Sequence, residues 1–309
     1  MTKTILLVGG TGFIGKHLIT HLTVLGYSLH VLSRSERSSD NQLVRYYTWN
    51  METGYIDAQA FDRVSTIINM TGANIGEKRW TAKRKSEIIE SRVKSLNVLY
   101  HYIEKYKLPI DTLISSSAVG FYGAITREDI FTEESPSGTD FLATTCRQWE
   151  NAAERFADLG VKTIILRKGV VIGPDGGMYH KLAPLAKLGI NTTLGSGKQY
   201  LPWIDVRDLV QIYSFLLVQN PPSGVFNATA SAHITLNDFS KALLRAVGKR
   251  SILPNVPAFL IKLLLGEMSI MLLEGSRVSN EKIKSAGFQF SYDTLEKSLE
   301  SPAHQKNRS

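Results

Sequence analysis

Thr4-Ile5-Leu6-Leu7-Val8-Gly9-Gly10-Thr11-Gly12-Phe13-Ile14-Gly15 is the stretch that decides the fold. Its first five residues form an unbroken apolar and β-branched run, the pattern of a parallel strand buried on both faces. Glycines then interrupt the run. Ile14, Leu18, Leu22 and Leu25 follow at helical spacing, until Gly26 stops the helix. Strand, glycine turn and helix in this order make a dinucleotide site. Glycine permits the tight turn, lets backbone approach a pyrophosphate and brings helix against strand, while the helix N-terminus offers free N–H groups and a positive dipole end. Gly9, Thr11, Gly12, Phe13, Ile14 and Gly15 are therefore the cofactor-binding candidates. The spacing is Gly-x-x-Gly-x-x-Gly. A glycine-rich turn without a ligand is the bland alternative, and the strand before and helix after it argue against that.

Working outward, Ser28–Leu32 reads as a second strand that ends at Ser33-Arg34-Ser35. A site selective for NAD would place a carboxylate here for the ribose 2′-hydroxyl. These residues offer none, and Ser33 and Arg34 suit a 2′-phosphate instead, so NADP(H) is expected over NAD(H). The alternation continues with strands over 66–70, 111–115 and 161–166 and helices over 82–106 and 143–158. Strands alternating with helices predict right-handed crossovers and a doubly wound, Rossmann-like parallel α/β sheet over residues 1–174. After Pro174 the pattern weakens to helices over 178–188, 206–218 and 235–247, a strand over 225–228, and a mostly helical stretch from 251. Residues 175–300 are expected to form a smaller, mainly helical substrate lobe, with some strands returning to the main sheet. The polar residues 301–309 are expected to be a disordered tail.

Composition sets the outer limits. The chain has 309 residues, 43% of them hydrophobic and 21% charged, which excludes disordered, collagenous and coiled-coil classes. The longest apolar candidate, Phe259–Leu265, carries Lys262 and is far shorter than a membrane span. Ile5–Val8 is too short for the apolar core of a signal peptide. One cysteine, Cys146, excludes an intrachain disulfide and suits a reducing cytoplasm. The net charge of +8 raises the question of nucleic acid, but the charge is dispersed and no recognition motif accompanies it. An anionic small ligand explains a basic cleft equally well.

The motifs Gly9 to Gly15, Asn69-Met70-Thr71-Gly72, Ser115-Ser116-Ser117-Ala118-Val119 with Tyr122-Gly123, and Leu166-Arg167 with Gly173-Pro174 together resemble the extended short-chain dehydrogenase/reductase superfamily, with its NAD-dependent epimerases and dehydratases. A narrower resemblance, to its "epimerase family protein" branch, rests on Gly72-Ala73-Asn74-Ile75 with Lys78-Arg79-Trp80, Cys146-Arg147-Gln148-Trp149-Glu150, and Gly195-Ser196-Gly197-Lys198-Gln199 with Trp203-Ile204-Asp205. Pro257 to Glu267 with Gly287-Phe288 is similar to the C-terminal domain of that branch, so the resemblance covers about residues 3–300. It adds Thr71 and Gly72 to the cofactor-binding candidates.

The superfamily's usual catalytic set is Ser/Thr followed by Tyr-x-x-x-Lys, in which tyrosine exchanges a proton and serine positions the substrate oxygen. The resemblance places the serine at Ser116 or Ser117. Alignment on Glu150 puts Leu142 at the tyrosine and Cys146 at the lysine, and no Tyr-x-x-x-Lys occurs between 124 and 165. Tyr122 is a candidate proton donor, with a structural tyrosine as the alternative. Val170 replaces the asparagine usual in sugar-nucleotide epimerases, and Tyr200-Leu201-Pro202-Trp203 replaces their diphosphate-binding arginine region. Leu201 and Trp203 are therefore expected to line an apolar substrate wall. His17 and His21 share a helix face with no third ligand in view, so no metal is expected. The reading is an NADP(H)-binding oxidoreductase or epimerase-like enzyme acting on a small molecule other than a typical UDP-sugar. The alternative is a dinucleotide-binding sensor or interaction protein without turnover. The oligomeric state is open.

Overall fold

The computed structural model describes residues 4–190, 193–251 and 254–299; the expected tail over 301–309 lies outside them. The first strand, β1 (Thr4–Val8), is buried along its whole length and forms the centre of an eight-stranded sheet. On one side it pairs with β2 (Ser28–Ser33), followed by β3 (Val44–Asn50) and the short antiparallel β4 (Tyr55–Ile56). On the other side lie β5 (Val64–Asn69), β6 (Thr112–Ala118), β8 (Lys162–Lys168) and β12 (Gly224–Ala228), all parallel. The strand order therefore reverses between β1 and β5. A doubly wound sheet opens its ligand crevice at that point, above the carboxyl ends of the strands.

Helices cover both faces because the strands are apolar on both. On one face α1 (Phe13–Val24) and α5 (Val206–Gln219) pack Leu18, Leu22, Leu209, Tyr213 and Leu216 onto the sheet. On the other, α2 (Ala82–Tyr106) and α3 (Phe141–Glu154) contribute Leu96, Leu99, Trp149 and Phe156, the last from the turn after α3. Thr81 and Asp140 cap the starts of α2 and α3, each side chain accepting a backbone N–H. Sequence patterning did not show β3 and β4: Arg45-Tyr46-Tyr47-Thr48 is only partly buried near the sheet edge and lacks a clean apolar period.

Although α5 and β12 follow residue 175, they build the main sheet's layers. The other pieces of this half surround the crevice: β9 (Val170–Gly173) pairs with β11 (Trp203–Asp205), and β10 (Tyr200–Leu201) with β13 (Ile234–Thr235). β14 (Arg277–Val278) pairs with β7 (Ile130–Phe131). α4 (Gly177–Lys187) and α6 (Leu236–Ala246) enclose a third core with Trp203 and Phe239. The described part of the stretch from 251 is mainly helical as expected, though in short pieces: α7 (Ala258–Leu265) runs through a 3-10 turn (Gly266–Ser269) into α8 (Ile270–Leu273), and α9 (Glu281–Ser285) and α10 (Leu295–Leu299) follow after loops. Among the described residues no helix is long and apolar enough to cross a membrane.

Two aspartates at the start of α5 fasten the C-terminal segment to the main sheet. Asp208 accepts the backbone N–H groups of Ser291 (3.0 Å) and Tyr292 (2.8 Å), and Asp205 accepts the Ser298 hydroxyl (2.6 Å). The Arg207 guanidinium lies 3.5 Å from the centre of the Tyr292 ring. Asp208→Ala should remove the acceptor of two backbone N–H groups and cost about 1–3 kcal/mol. Denaturant unfolding checks the loss, and limited proteolysis should show earlier cleavage near residue 290; an unchanged cleavage pattern would argue against this fastening.

Candidate active site

The turn between β1 and α1 touches the exit of β5 so closely that side chains do not fit there. Gly9 has φ +87°, and a Cβ on it would lie 2.9 Å from the Met70 carbonyl carbon and the Thr71 nitrogen; one on Gly15 would lie 2.4 Å from the Gly10 carbonyl oxygen. Gly12 differs, since its nearest obstruction is the Gly9 carbonyl oxygen at 3.6 Å. It is the N-cap of α1 with no side-chain cap, so first-turn N–H groups are left for an anion. Phe13 packs its ring against Gly173, Gly176 and Gly177, and Ile14 packs against the core, so both serve the turn through backbone. Beside the turn, Asn69 Nδ2 and Thr71 Oγ1 are buried without a hydrogen-bond partner. A cradle closed by glycines with two unused polar atoms on its rim fits a dinucleotide.

At the end of β2, buried Ser33 accepts hydrogen bonds from the Ser35 backbone N–H (3.4 Å) and from Arg37 Nε (3.2 Å). Arg34 is exposed. Arg37 is a second cation beside Ser33 that sequence reasoning passed over, although its place three residues after Arg34 was visible.

Arg167 organises the far half of the crevice. It leaves β8 toward α3 and forms a bidentate pair with Glu150, Nε to Oε1 at 2.9 Å and Nη2 to Oε2 at 2.8 Å, with both side chains only 4% exposed. Ser117 donates to the same carboxylate at 2.5 Å. Arg167 also donates to the Tyr122 hydroxyl (3.0 Å), which itself donates to Asn227 (2.7 Å). Burial pushes the Tyr122 hydroxyl up to about 12, so it holds its proton at neutral pH. Ser117 and Tyr122, both expected in catalysis, are therefore parts of one buried ion-pair network. Leu142 and Cys146 stand against Gly120, and burial pushes the Cys146 thiol up to about 12. Neither side chain can replace a tyrosine–lysine pair.

Side chains alternate along a strand, so Lys168 faces away from Arg167. Its Nζ donates to Ser116 Oγ at 2.9 Å, and the same oxygen is 2.7 Å from the Tyr213 hydroxyl. A lysine and a tyrosine from outside the usual motif thus meet at one of the two candidate serines. Lys168 pairs with no carboxylate among the described residues. Burial, and secondarily the Arg92 guanidinium, lower its amine to about 7. Sequence reasoning missed Lys168; the signal was its place at the carboxyl end of a strand, directly after Leu166-Arg167.

The expected apolar wall is corrected in part. Leu201 is half-buried beside a small cavity with Pro202 and Thr229. Trp203 is only 1% exposed and lies in the core with Ile172 and Phe239. Gly72 packs on the Arg92 side chain. His17 bonds to Asp175 and His21 to Ser214.

A doubly wound sheet with a glycine cradle at its reversal point defines a dinucleotide-binding α/β protein. Residues 5–229 match the model of the NAD-dependent epimerase/dehydratase family, and residues 256–301 match a domain of unknown function, DUF1731. The "Epimerase family protein YfhF" of Bacillus subtilis is 35% identical over 296 residues, covering 96% of each chain. The crystal structure of human epimerase family protein SDR39U1 (isoform 2) with NADPH superposes with a TM-score of 0.86 at 28% identity, covering 98% of this chain and 99% of that one. A Thermus thermophilus UDP-glucose 4-epimerase complex with NAD shares the fold at a TM-score of 0.78 and 18% identity, covering 99% of this chain and all of that one. The chain belongs to the NAD-dependent epimerase/dehydratase family, within the extended short-chain dehydrogenase/reductases.

The buried amine has a consequence for stability. An amine lowered from the ordinary lysine value to about 7 binds its proton more weakly in the folded chain than in the unfolded one. Its cost to the fold is full below about pH 7 and fades as pH rises toward the unfolded lysine value. Relative to Lys168→Met, the wild type should therefore lose stability as pH falls from about 10 to about 7. Parallel urea titrations of the two proteins across that range check the sign, and parallel curves would contradict it.

Proposed function

We propose that the protein is an NADP(H)-dependent oxidoreductase or epimerase-like enzyme acting on a small molecule other than a typical UDP-sugar. The observation that carries this reading is the glycine cradle with Asn69 Nδ2 and Thr71 Oγ1 left unpaired beside it. The NADPH in the structure of its human relative supports the same reading. When bound, the cofactor supplies hydride chemistry. First-turn N–H groups of α1 hold the pyrophosphate, and Arg34 with Arg37 beside Ser33 holds the 2′-phosphate. Catalysis narrows to Ser116, since Ser117 and Tyr122 are bound into the Glu150–Arg167 network. Exposed Val170 and half-buried Leu201 near the mouth support a substrate less polar than a sugar nucleotide. The single cysteine, Cys146, supports a cytoplasmic location.

A second reading, a dinucleotide-binding sensor without turnover, is favoured by Leu142 and Cys146 at the positions of the usual pair. Oxidation of NADPH by a panel of carbonyl compounds separates the two: turnover supports the enzyme, and tight binding without turnover supports the sensor.

Gly12→Val should give a folded protein that no longer binds NADPH, because the open space at Gly12 lies toward the ligand and not toward the protein. Calorimetry showing unchanged affinity would sink the cradle reading. Wild-type protein should bind NADPH more tightly than NADH, and Arg34→Ala should weaken NADPH binding by roughly tenfold or more while leaving NADH nearly unchanged. Equal dissociation constants for the two cofactors in the wild type would refute the 2′-phosphate assignment.

A further inference from the structure

We propose that Lys168, which donates to Ser116, makes the cleft discriminate between the oxidation states of its nicotinamide cofactor, its ammonium form rejecting NADP+ and accepting NADPH. The inference rests on the NADP(H) reading and adds a proton-linked choice to it. Arg34 and Arg37 mark the adenosine end above β2, so the nicotinamide end runs across the reversal point toward the ends of β5, β6 and β8. Lys168 ends β8, and its register partner on β6 is Ala118. NADP+ and NADPH carry the same phosphates and differ by one positive charge on the nicotinamide ring. A cation in that half of a low-dielectric cleft therefore distinguishes them and little else does.

The surroundings of Lys168 leave its charge uncompensated. From α2 it faces Arg92, a second cation. From β6 it meets the neutral hydroxyl of Ser116, which in turn bonds to the neutral Tyr213 hydroxyl of α5. On α3, Glu150 is engaged by Arg167 and Ser117, and Cys146 keeps its proton. The Tyr122 hydroxyl is also neutral, and β12 brings no charged side chain, its Asn227 N–H being bound by Glu133. Burial, with Arg92 second, brings the amine to about 7, and without a counter-charge its protonation responds to a neighbouring cation. The ammonium is present near pH 6 and largely gone near pH 8, so NADP+ affinity should climb with pH while NADPH affinity changes far less.

The test is calorimetric titration of the full-length protein with NADP+ and with NADPH at pH 6 and pH 8, using wild type, Lys168→Met and Lys168→Arg. The shared 2′-phosphate cancels in the ratio of the two dissociation constants. In the wild type that ratio, NADP+ over NADPH, should fall about tenfold between pH 6 and pH 8. Lys168→Met should give a low ratio at both pH values, and Lys168→Arg, permanently charged, a high one at both. A wild-type ratio that moves less than twofold overturns the proposal, as does a full pH response surviving in either variant; the arginine variant decides the matter if the methionine variant does not fold. Wild-type protein binding neither nucleotide would instead overturn the cofactor reading itself.

Discussion

The Arg167–Glu150 pair is the constraint around which the substrate half of the cleft is arranged. A guanidinium buried beneath strand ends is tolerable only if its donors are satisfied, because removing one partner of such a pair typically costs roughly 3–5 kcal/mol. Here Glu150, the Tyr122 hydroxyl and the Glu133 carbonyl accept from it, and Phe121 lies against its face at 3.4 Å. These contacts fix α3, the turn after β6 and the strand end in one arrangement. They also bind Ser117 and Tyr122 into the same buried network.

Strand alternation then determines the other side. With Arg167 committed to α3, Lys168 projects to the other face, where it donates to Ser116, itself bonded to Tyr213 of α5. The family's usual Tyr-x-x-x-Lys pair sits on the helix corresponding to α3. In this chain that helix offers Leu142 and Cys146, and the ionisable amine of the cleft comes from the neighbouring strand. The glycine cradle, by contrast, keeps the form that a dinucleotide fold requires, because close backbone approach at Gly9 and Gly15 leaves no room for alternatives.

The parts of the fold that were legible in the sequence are those where local pattern and burial agree. Thr4–Val8 with its glycine turn, and the long α2 with its Thr81 cap, could be read because each is specified within its own segment. β3 could not, since Arg45-Tyr46-Tyr47 takes its strand form from pairing with β2. Beyond residue 251, Gly266, Ser279-Asn280 and Gly287 divide the helical stretch into short pieces, and the last of them is held through Asp205 and Asp208, partners some 80 to 90 residues away. At the site, motif context pointed to Gly12 and to Ser116 or Ser117. Trp203 was misplaced because an aromatic beside a substrate loop and one in a core look alike in sequence. Lys168 was passed over because only strand register brings a lone lysine to a serine fifty-two positions earlier.

The most direct measurement is a crystal structure of the protein grown with NADPH. The expected arrangement has the pyrophosphate against the backbone of Gly12 to Ile14, the 2′-phosphate beside Arg34 and Arg37, and the nicotinamide toward the ends of β6 and β8, near Ser116 and Lys168. A dinucleotide bound elsewhere, or one lying with its nicotinamide over β2, would contradict it.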